Sequence, residues 1–212
     1  MNTLRRLIFL LIACAMGCAE QARSQAPVAP GNAGATQTAG TNQIVLIVRH
    51  AEKPEAGNGL SAEGERRAKA YASYFLNFQI DGKPAVIDYL YAARDSKKSH
   101  RPRLTLEPLA AALSKTIDCR FADEETGAIA KDIQQTRAGQ TVLISWRHSE
   151  IPSLIQALGA DPASLLPKGK WPDTQFGWVI ELRFAAGKLA RSRRVEENLV
   201  LSPAGAANPS PK

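Results

Sequence analysis

The run Ile44-Val45-Leu46-Ile47-Val48 constrains the fold more than any other stretch of the chain. Five consecutive apolar residues leave no polar face to turn toward water. A strand of this kind is covered on both sides, as in a parallel sheet flanked by helices. The run stops abruptly at Arg49-His50. A cation and an imidazole at the carboxyl end of a buried strand stand where open α/β sheets place their ligands.

The pattern returns twice. Val86 to Ala92 reads as a second strand, followed by the polar loop Arg94 to His100 and a helix opened by Arg101. Thr141-Val142-Leu143-Ile144-Ser145-Trp146 is a third buried strand, ending at Arg147-His148. Helical patterns lie between. Ser61 is a good N-cap, and Tyr71, Tyr74, Phe75 and Phe78 then form one apolar face. Leu106, Leu109 and Leu113 mark the buried side of the helix from Arg101, where Pro108 is expected to kink the helix or delay its regular start. Asp123 to Thr136 reads as a further helix, and Ser149 is placed to cap another bearing Ile151, Leu154, Ile155 and Leu158. Asp81-Gly82-Lys83-Pro84 is a turn. Phe176–Phe184 and Leu189–Val195 read as a final strand pair around Ala186-Gly187. This alternation argues for an α/β layered domain with a largely parallel sheet. Right-handed crossovers bring the carboxyl ends of parallel strands to one edge, so His50, Arg101 and His148 should converge.

The 212 residues fit one domain with a single sizeable core once the ends are set aside. The net charge of +7 is spread out, with no basic stripe and no recognisable module for nucleic acid. A moderately basic surface suits an anionic small-molecule ligand instead. Residues 1–18 read as an export signal. Arg5-Arg6 precede an apolar segment, Leu7 to Gly17, too short to span a bilayer. Ala15-Met16-Gly17-Cys18 resembles a lipoprotein processing site, which would make Cys18 the lipidated first residue and the only membrane attachment; ordinary cleavage after Ala19 is the alternative. Residues 19–42 read as a flexible tether, 43–196 as the folded domain and 197–212 as a disordered tail. The expected location is a bacterial periplasm or outer membrane. Cys119 is alone in the folded part, so no internal disulfide is expected there, and it reads as a structural thiol in a short strand.

Four segments, in order, resemble the histidine phosphatase superfamily. Arg49-His50-Ala51 is similar to its R-H-G signature, with alanine in place of glycine. Leu60-Ser61-Ala62-Glu63-Gly64 resembles its L-[ST]-x-x-G helix start, Arg101-Pro102-Arg103-Leu104-Thr105 its R-A-x-Q-T segment, and Val142 to His148 the strand that delivers the second histidine. The resemblance implies the phosphoglycerate-mutase-like fold, a three-layer sandwich with a central, mostly parallel sheet and helices on both faces. It implies His50 as a nucleophile that forms a phosphohistidine, and a phosphate cradle of Arg49, Arg101 and His148.

That assignment suits the chemistry. Neutral imidazole is nucleophilic near pH 7, and a guanidinium grips two phosphoryl oxygens at once and stays charged. No metal or other cofactor is required. Arg103, Arg147 and His100 flank the motif residues and compete with them for these roles. A leaving alkoxide also needs a proton. Glu150 is the first choice for the acid, Glu52 the alternative and Asp173 a distant third; Lys53 reads as a solvated lysine. Ala51 in place of glycine adds a methyl where the backbone is expected to pass close to phosphate, harmless if the local φ is negative. The expected activity is hydrolysis of a small phosphate monoester. The alternatives are a weak or inactive envelope lipoprotein that binds a phosphate ligand, and a phosphotransferase or mutase.

Overall fold

The computed structural model describes residues 42–199 and residue 201. The export signal, the lipidation of Cys18 and nearly all of the tether lie outside the described residues, as does the tail beyond residue 201.

The apolar run forms β1 (Gln43–Arg49) at the centre of a six-stranded sheet. The other strands are β4 (Tyr89–Ala92), β5 (Ile117–Asp118), β6 (Thr141–Trp146), β7 (Trp178–Ala185) and β8 (Lys188–Glu196), while β2 (Gln79–Ile80) and β3 (Lys83–Pro84) make a separate hairpin. The order across the sheet is β5-β4-β6-β1-β7-β8. The first four of these run parallel, and β7 and β8 add antiparallel strands at one side.

Alternate residues of β1 feed two cores. Val45 and Ile47 pack with Ile129 and Ile133 of α3 (Thr126–Thr136) and with Ile151, Leu154 and Ile155 of α4 (Ile151–Ala157). Leu46 and Val48 pack with Tyr71 and Phe75 of α1 (Ala62–Leu76) and with Leu106 and Leu109 of α2 (Arg101–Leu113). Helices therefore cover both faces, as an unbroken apolar strand demands. Each such side chain, fully removed from water, stabilises the fold by about 1.5–3 kcal/mol.

Several local expectations need correction. Val86 is 71% exposed, and pairing with β6 begins only at Tyr89, opposite Val142. α2 runs through Pro108 as one helix; Leu106, Leu109 and Ala110, buried on both sides of the proline, hold it across the missing bond. Ser149 does not cap α4. Glu150 occupies that position without a side-chain cap, and the Ser149 hydroxyl donates to the Glu150 carboxylate instead. A short helix, α5 (Pro162–Leu165), capped by Asp161, was not anticipated. β7 starts at Trp178 rather than Phe176, whose ring is engaged elsewhere. Glu197, read as the first residue of the tail, is only 4% exposed and its N–H donates to the Gly177 carbonyl.

Other features match the sequence. The Ser61 hydroxyl accepts from the Gly64 N–H and caps α1. Asp81 and Gly82 both take positive φ in the turn between β2 and β3, and Ala186-Gly187 do the same between β7 and β8. Such a pair of left-handed residues matches the twist of a two-residue hairpin. Cys119 lies just past β5 and not within a strand as expected; it is half-buried, and burial raises its thiol to about 11, so it stays protonated.

Candidate active site

β1 and β6 are parallel neighbours, with Arg49 opposite Trp146. The His50 N–H donates to the Trp146 carbonyl at 2.9 Å, so the chain segments leaving the two strands start side by side. The rings of His50 and His148 come to 6.4 Å between centroids, edge to face at 76°. Residues nearly a hundred positions apart are thus placed by one register.

His50 is buried, and its Nδ1 lies 2.8 Å from the Ala51 carbonyl oxygen. A carbonyl only accepts, so Nδ1 carries the hydrogen and Nε2 keeps the lone pair. Burial lowers the pKa of His50 to about 4; the Ala51 carbonyl opposes the shift, and Arg49, Arg101 and a protonated His148 add to it. At pH 7 only about one molecule in a thousand carries the imidazolium. The ring is held neutral, in one tautomer, beside two guanidinium groups.

Ala51 is fully buried and is absent from the described non-glycine residues with positive φ, which are Asp81, Ser114, Lys168, Ala186 and Asn198. Its methyl needs no strained backbone. The Ala51 N–H donates to the Thr105 hydroxyl at 2.8 Å, and that hydroxyl donates to the Arg101 carbonyl at 2.7 Å. Thr105 thereby fastens the nucleophile loop to the first turn of α2. Thr105→Val should lower stability by about 1–3 kcal/mol, because it leaves the buried Ala51 N–H unpaired. Denaturant titration measures this; an unchanged midpoint would show that the fastening contributes nothing.

Arg101 opens α2 with its guanidinium held by the Gly57 and Lys98 carbonyls. Arg49 is 3% exposed. Its Nη1 donates to the carbonyls of Pro172, Asp173 and Gln175 at 3.2, 2.5 and 3.0 Å, and its guanidinium carbon lies 3.9 Å above the Phe176 ring. Burial lowers the Arg49 pKa to about 10, with Asp173 and Glu52 opposing the shift, so it remains a cation at neutral pH. In both arginines Nε is buried and has no hydrogen-bond partner. The same is true of His148 Nδ1. Unpaired buried polar atoms are uncommon in folded proteins. Here half of the six described side-chain atoms in that condition belong to this one cluster.

Two cavities open on the cluster. One of about 530 Å³ contains His50 and Arg101, with Arg94, Lys98 and Arg147 among its lining. A second of about 420 Å³ contains His148, Lys170, Trp171 and Asp173. Arg147 sits on the rim of the first, paired with Asp123 at 3.0 Å. Arg103 turns away to Asp95 and Glu107. The His100 ring faces the Asn58 side chain, and Lys53 is exposed. None of these displaces Arg101 or His148 from the positions implied by the motifs.

The carboxylates fall differently from the sequence ranking. Glu150 lines neither of the two cavities and accepts only from Ser149. Glu52 is buried and receives three hydrogen bonds from Arg67, at 2.7 to 3.1 Å, which leave it no role as an acid. Asp173, ranked last, accepts from His148 Nε2 at 2.8 Å. The sequence signal was weak because a loop, and not a strand end, delivers it.

Arg67 also went unnoticed, being off the aromatic stripe of α1. It bridges Glu52 to Glu197 at 3.2 Å, and the Tyr71 hydroxyl donates to Glu197 at 2.6 Å. Two carboxylates share one guanidinium, and Glu52 takes the bidentate share. Burial therefore dominates at Glu197 and raises its pKa to about 7, against the pull of Tyr71 and Arg67 and with a small push from Glu52. A carboxyl raised from 4.5 to about 7 favours the folded state while protonated. That stability is complete below about pH 4.5 and is lost as pH rises through 7, by about 3 kcal/mol at most. Glu197→Gln should flatten the fall in stability between pH 5 and 8. Denaturation midpoints of the two proteins across that range measure it; parallel curves would be the contrary result.

No protein-family model matches the sequence, and no curated protein sequence matches it. Solved structures do match the fold. One is the protein histidine phosphatase SixA complexed with tungstate, with TM-score 0.50 and 14% identity over 73% of this chain and 97% of that one. Another is a putative alpha-ribazole-5'-P phosphatase from Escherichia coli K-12, with TM-score 0.52 and 10% identity over 73% of this chain and 96% of that one. The chain shares the fold of these phosphatase structures, a mostly parallel central sheet with helices on both faces.

Proposed function

We propose that the protein hydrolyses a phosphate monoester through a phosphohistidine formed at His50 Nε2. The observation that carries the reading is the state of His50. Its ring is neutral at pH 7, its Nδ1 hydrogen is committed to the Ala51 carbonyl, and it lies on a cavity shared with Arg101. Phosphoryl transfer needs an in-line nucleophile and positive charge around the equatorial oxygens. His50 supplies the first. Arg49 and Arg101 supply the second, joined by His148 when it is protonated, and donors fixed in advance of this kind contribute about 3–4 kcal/mol each in a transition state. The chain would act on its substrate as an exported protein anchored through Cys18, a placement supported by the leader pattern alone.

The test is rapid acid-free quenching during turnover of an aryl phosphate. A burst of phenol and a phosphorylated protein that is labile to acid and stable to base are the expected results. Steady turnover without any such adduct would rule out the covalent route. Product analysis separates hydrolysis, which releases inorganic phosphate, from a mutase, which returns an isomeric ester. An inactive anion-binding protein rested on Ala51 and on the uncertain acid, and the backbone at Ala51, which takes no positive φ, weakens the first of these.

A further inference from the structure

Neither carboxylate first favoured as proton donor is placed for that role, yet an ester oxygen must leave. The loop after α5 offers another arrangement. Its carbonyls at Pro172, Asp173 and Gln175 hold Arg49, and its Asp173 side chain holds His148. The loop itself is pinned by the buried Trp171, whose Nε1 donates to the Gln175 carbonyl at 2.8 Å, and by Phe176 beneath Arg49. One short segment thus fixes two of the four groups around the phosphate position.

The Asp173 carboxylate only accepts, so it commits the His148 hydrogen to Nε2. Nδ1 is then a bare lone pair, buried and without a partner. In that form His148 cannot donate to a phosphoryl oxygen. It can take a proton there, and the carboxylate on the far side of the ring stabilises the imidazolium that results.

We infer that Asp173 and His148 form a proton-transfer pair in which His148 Nδ1 is the general acid and Asp173 the positioning residue. This rests on the phosphatase reading above. A proton from the bound phosphate monoanion, or from solvent, enters at Nδ1. The His50 Nε2 lone pair then bonds to phosphorus while the ester P–O bond breaks. The released electron pair stays on the leaving oxygen, which takes the Nδ1 proton and departs as the alcohol. In the second half, water attacks phosphorus and gives its proton to Nδ1. The P–N bond breaks and its pair returns to His50.

The groups around His148 make the charged form conditional. Burial, then Arg49 from the end of β1, disfavour the imidazolium; Asp173 favours it; Arg147 at the end of β6 disfavours it, and the charge of His148 in turn lowers that of His50. A bound phosphate offsets the repulsion by the two arginines. Substrate binding therefore favours the charged form of His148.

Asp173→Asn tests the pair. The carbonyls on Arg49 are main-chain and remain, and asparagine can still accept from Nε2, so only the charge is removed. Two substrates are compared. An activated aryl phosphate has a leaving group that departs unprotonated; a simple alkyl phosphate has one that does not. The variant should lose about 10²-fold in kcat on the alkyl ester and keep most of its activity on the aryl ester, with Glu150→Gln close to wild type on both. Equal losses on both esters, no loss on either, or a selective alkyl loss in Glu150→Gln would overturn the assignment. A second readout is independent of turnover: the pKa of His148 followed by NMR with and without saturating inorganic phosphate. It should rise on binding in the wild type and rise less in Asp173→Asn. An unmoved value in the wild type sinks the pair whatever the kinetics. Failure of the phosphatase reading is separate, since it appears as absence of aryl phosphate turnover in the unaltered protein.

Discussion

His50→Ala should abolish turnover, with kcat on an aryl phosphate at least about 10⁴-fold below wild type and no acid-labile phosphoprotein. The expected loss is this large because nothing nearby can replace the nucleophile. The free lone pair of His148, at Nδ1, belongs to a ring centred 6.4 Å from that of His50 and carries the leaving group's proton in the proposed cycle, and the cations around the cavity cannot attack phosphorus. The fold should survive, because the strand-end contact of residue 50 with Trp146 uses the main chain. The side chain donates only to the adjacent Ala51 carbonyl. A melting profile within a few degrees of wild type, alongside lost activity, separates a chemical effect from unfolding. Retention of even a hundredth of the wild-type rate would mean that the attacking group lies elsewhere. Phosphate affinity should survive better than turnover, since Arg49, Arg101 and His148 remain.

Gly64→Ala should lower both stability and activity, against the usual behaviour of that substitution in a helix. An alanine inside α1 would ordinarily stabilise by about 1 kcal/mol over glycine. Here a Cβ would sit 2.4 Å from the Glu52 carbonyl oxygen, 3.0 Å from its nitrogen and 3.2 Å from the Leu60 Cβ. The first two are main-chain atoms that no rotamer change can move. The same carbonyl accepts from the Ser61 N–H at 2.9 Å, so helix start and nucleophile loop are pressed together at this point. Relief requires shifting the chain two residues after His50. Overpacking of this kind costs about 1–3 kcal/mol, and a displacement near 1 Å in a reacting group costs about 10²-fold in rate. Urea midpoints and kcat measure the two effects. A more stable, fully active variant would show that α1 does not approach the loop this closely.

The phosphatase-like motifs were legible because each is a local device. A continuous β-branched run announces β1, and the same run with a polar stop announces β6. Ser61 marks where α1 starts. What sequence reasoning missed lies in long-range pairing. Arg67 falls outside an aromatic stripe and looks solvated, yet it bridges two buried carboxylates from distant segments. Glu197 follows the last strand and looks like tail, yet it closes over Tyr71. Asp173 sits in a proline-flanked loop with no periodicity to place it, and only the folded chain shows which histidine it meets. A carboxylate near the second histidine in sequence, Glu150, was the natural choice, but the turn into α4 carries it out of both cavities.

The pairing of β1 with β6 has a consequence for variation. Both imidazoles emerge directly from strands in contact, so their separation is dictated by the interstrand gap, about 4.8 Å in any sheet, and loop length hardly enters. A phosphoryl group, the proposed occupant, is always the same size, and a rigid spacer suits it. The wall built from residues 94–99 carries no such restriction, whereas the loop at 172–175 is tied to Arg49 and His148. Lengthening or reshaping the segment at 94–99 should redirect which ester is accepted while the distance between the two rings stays as the sheet sets it.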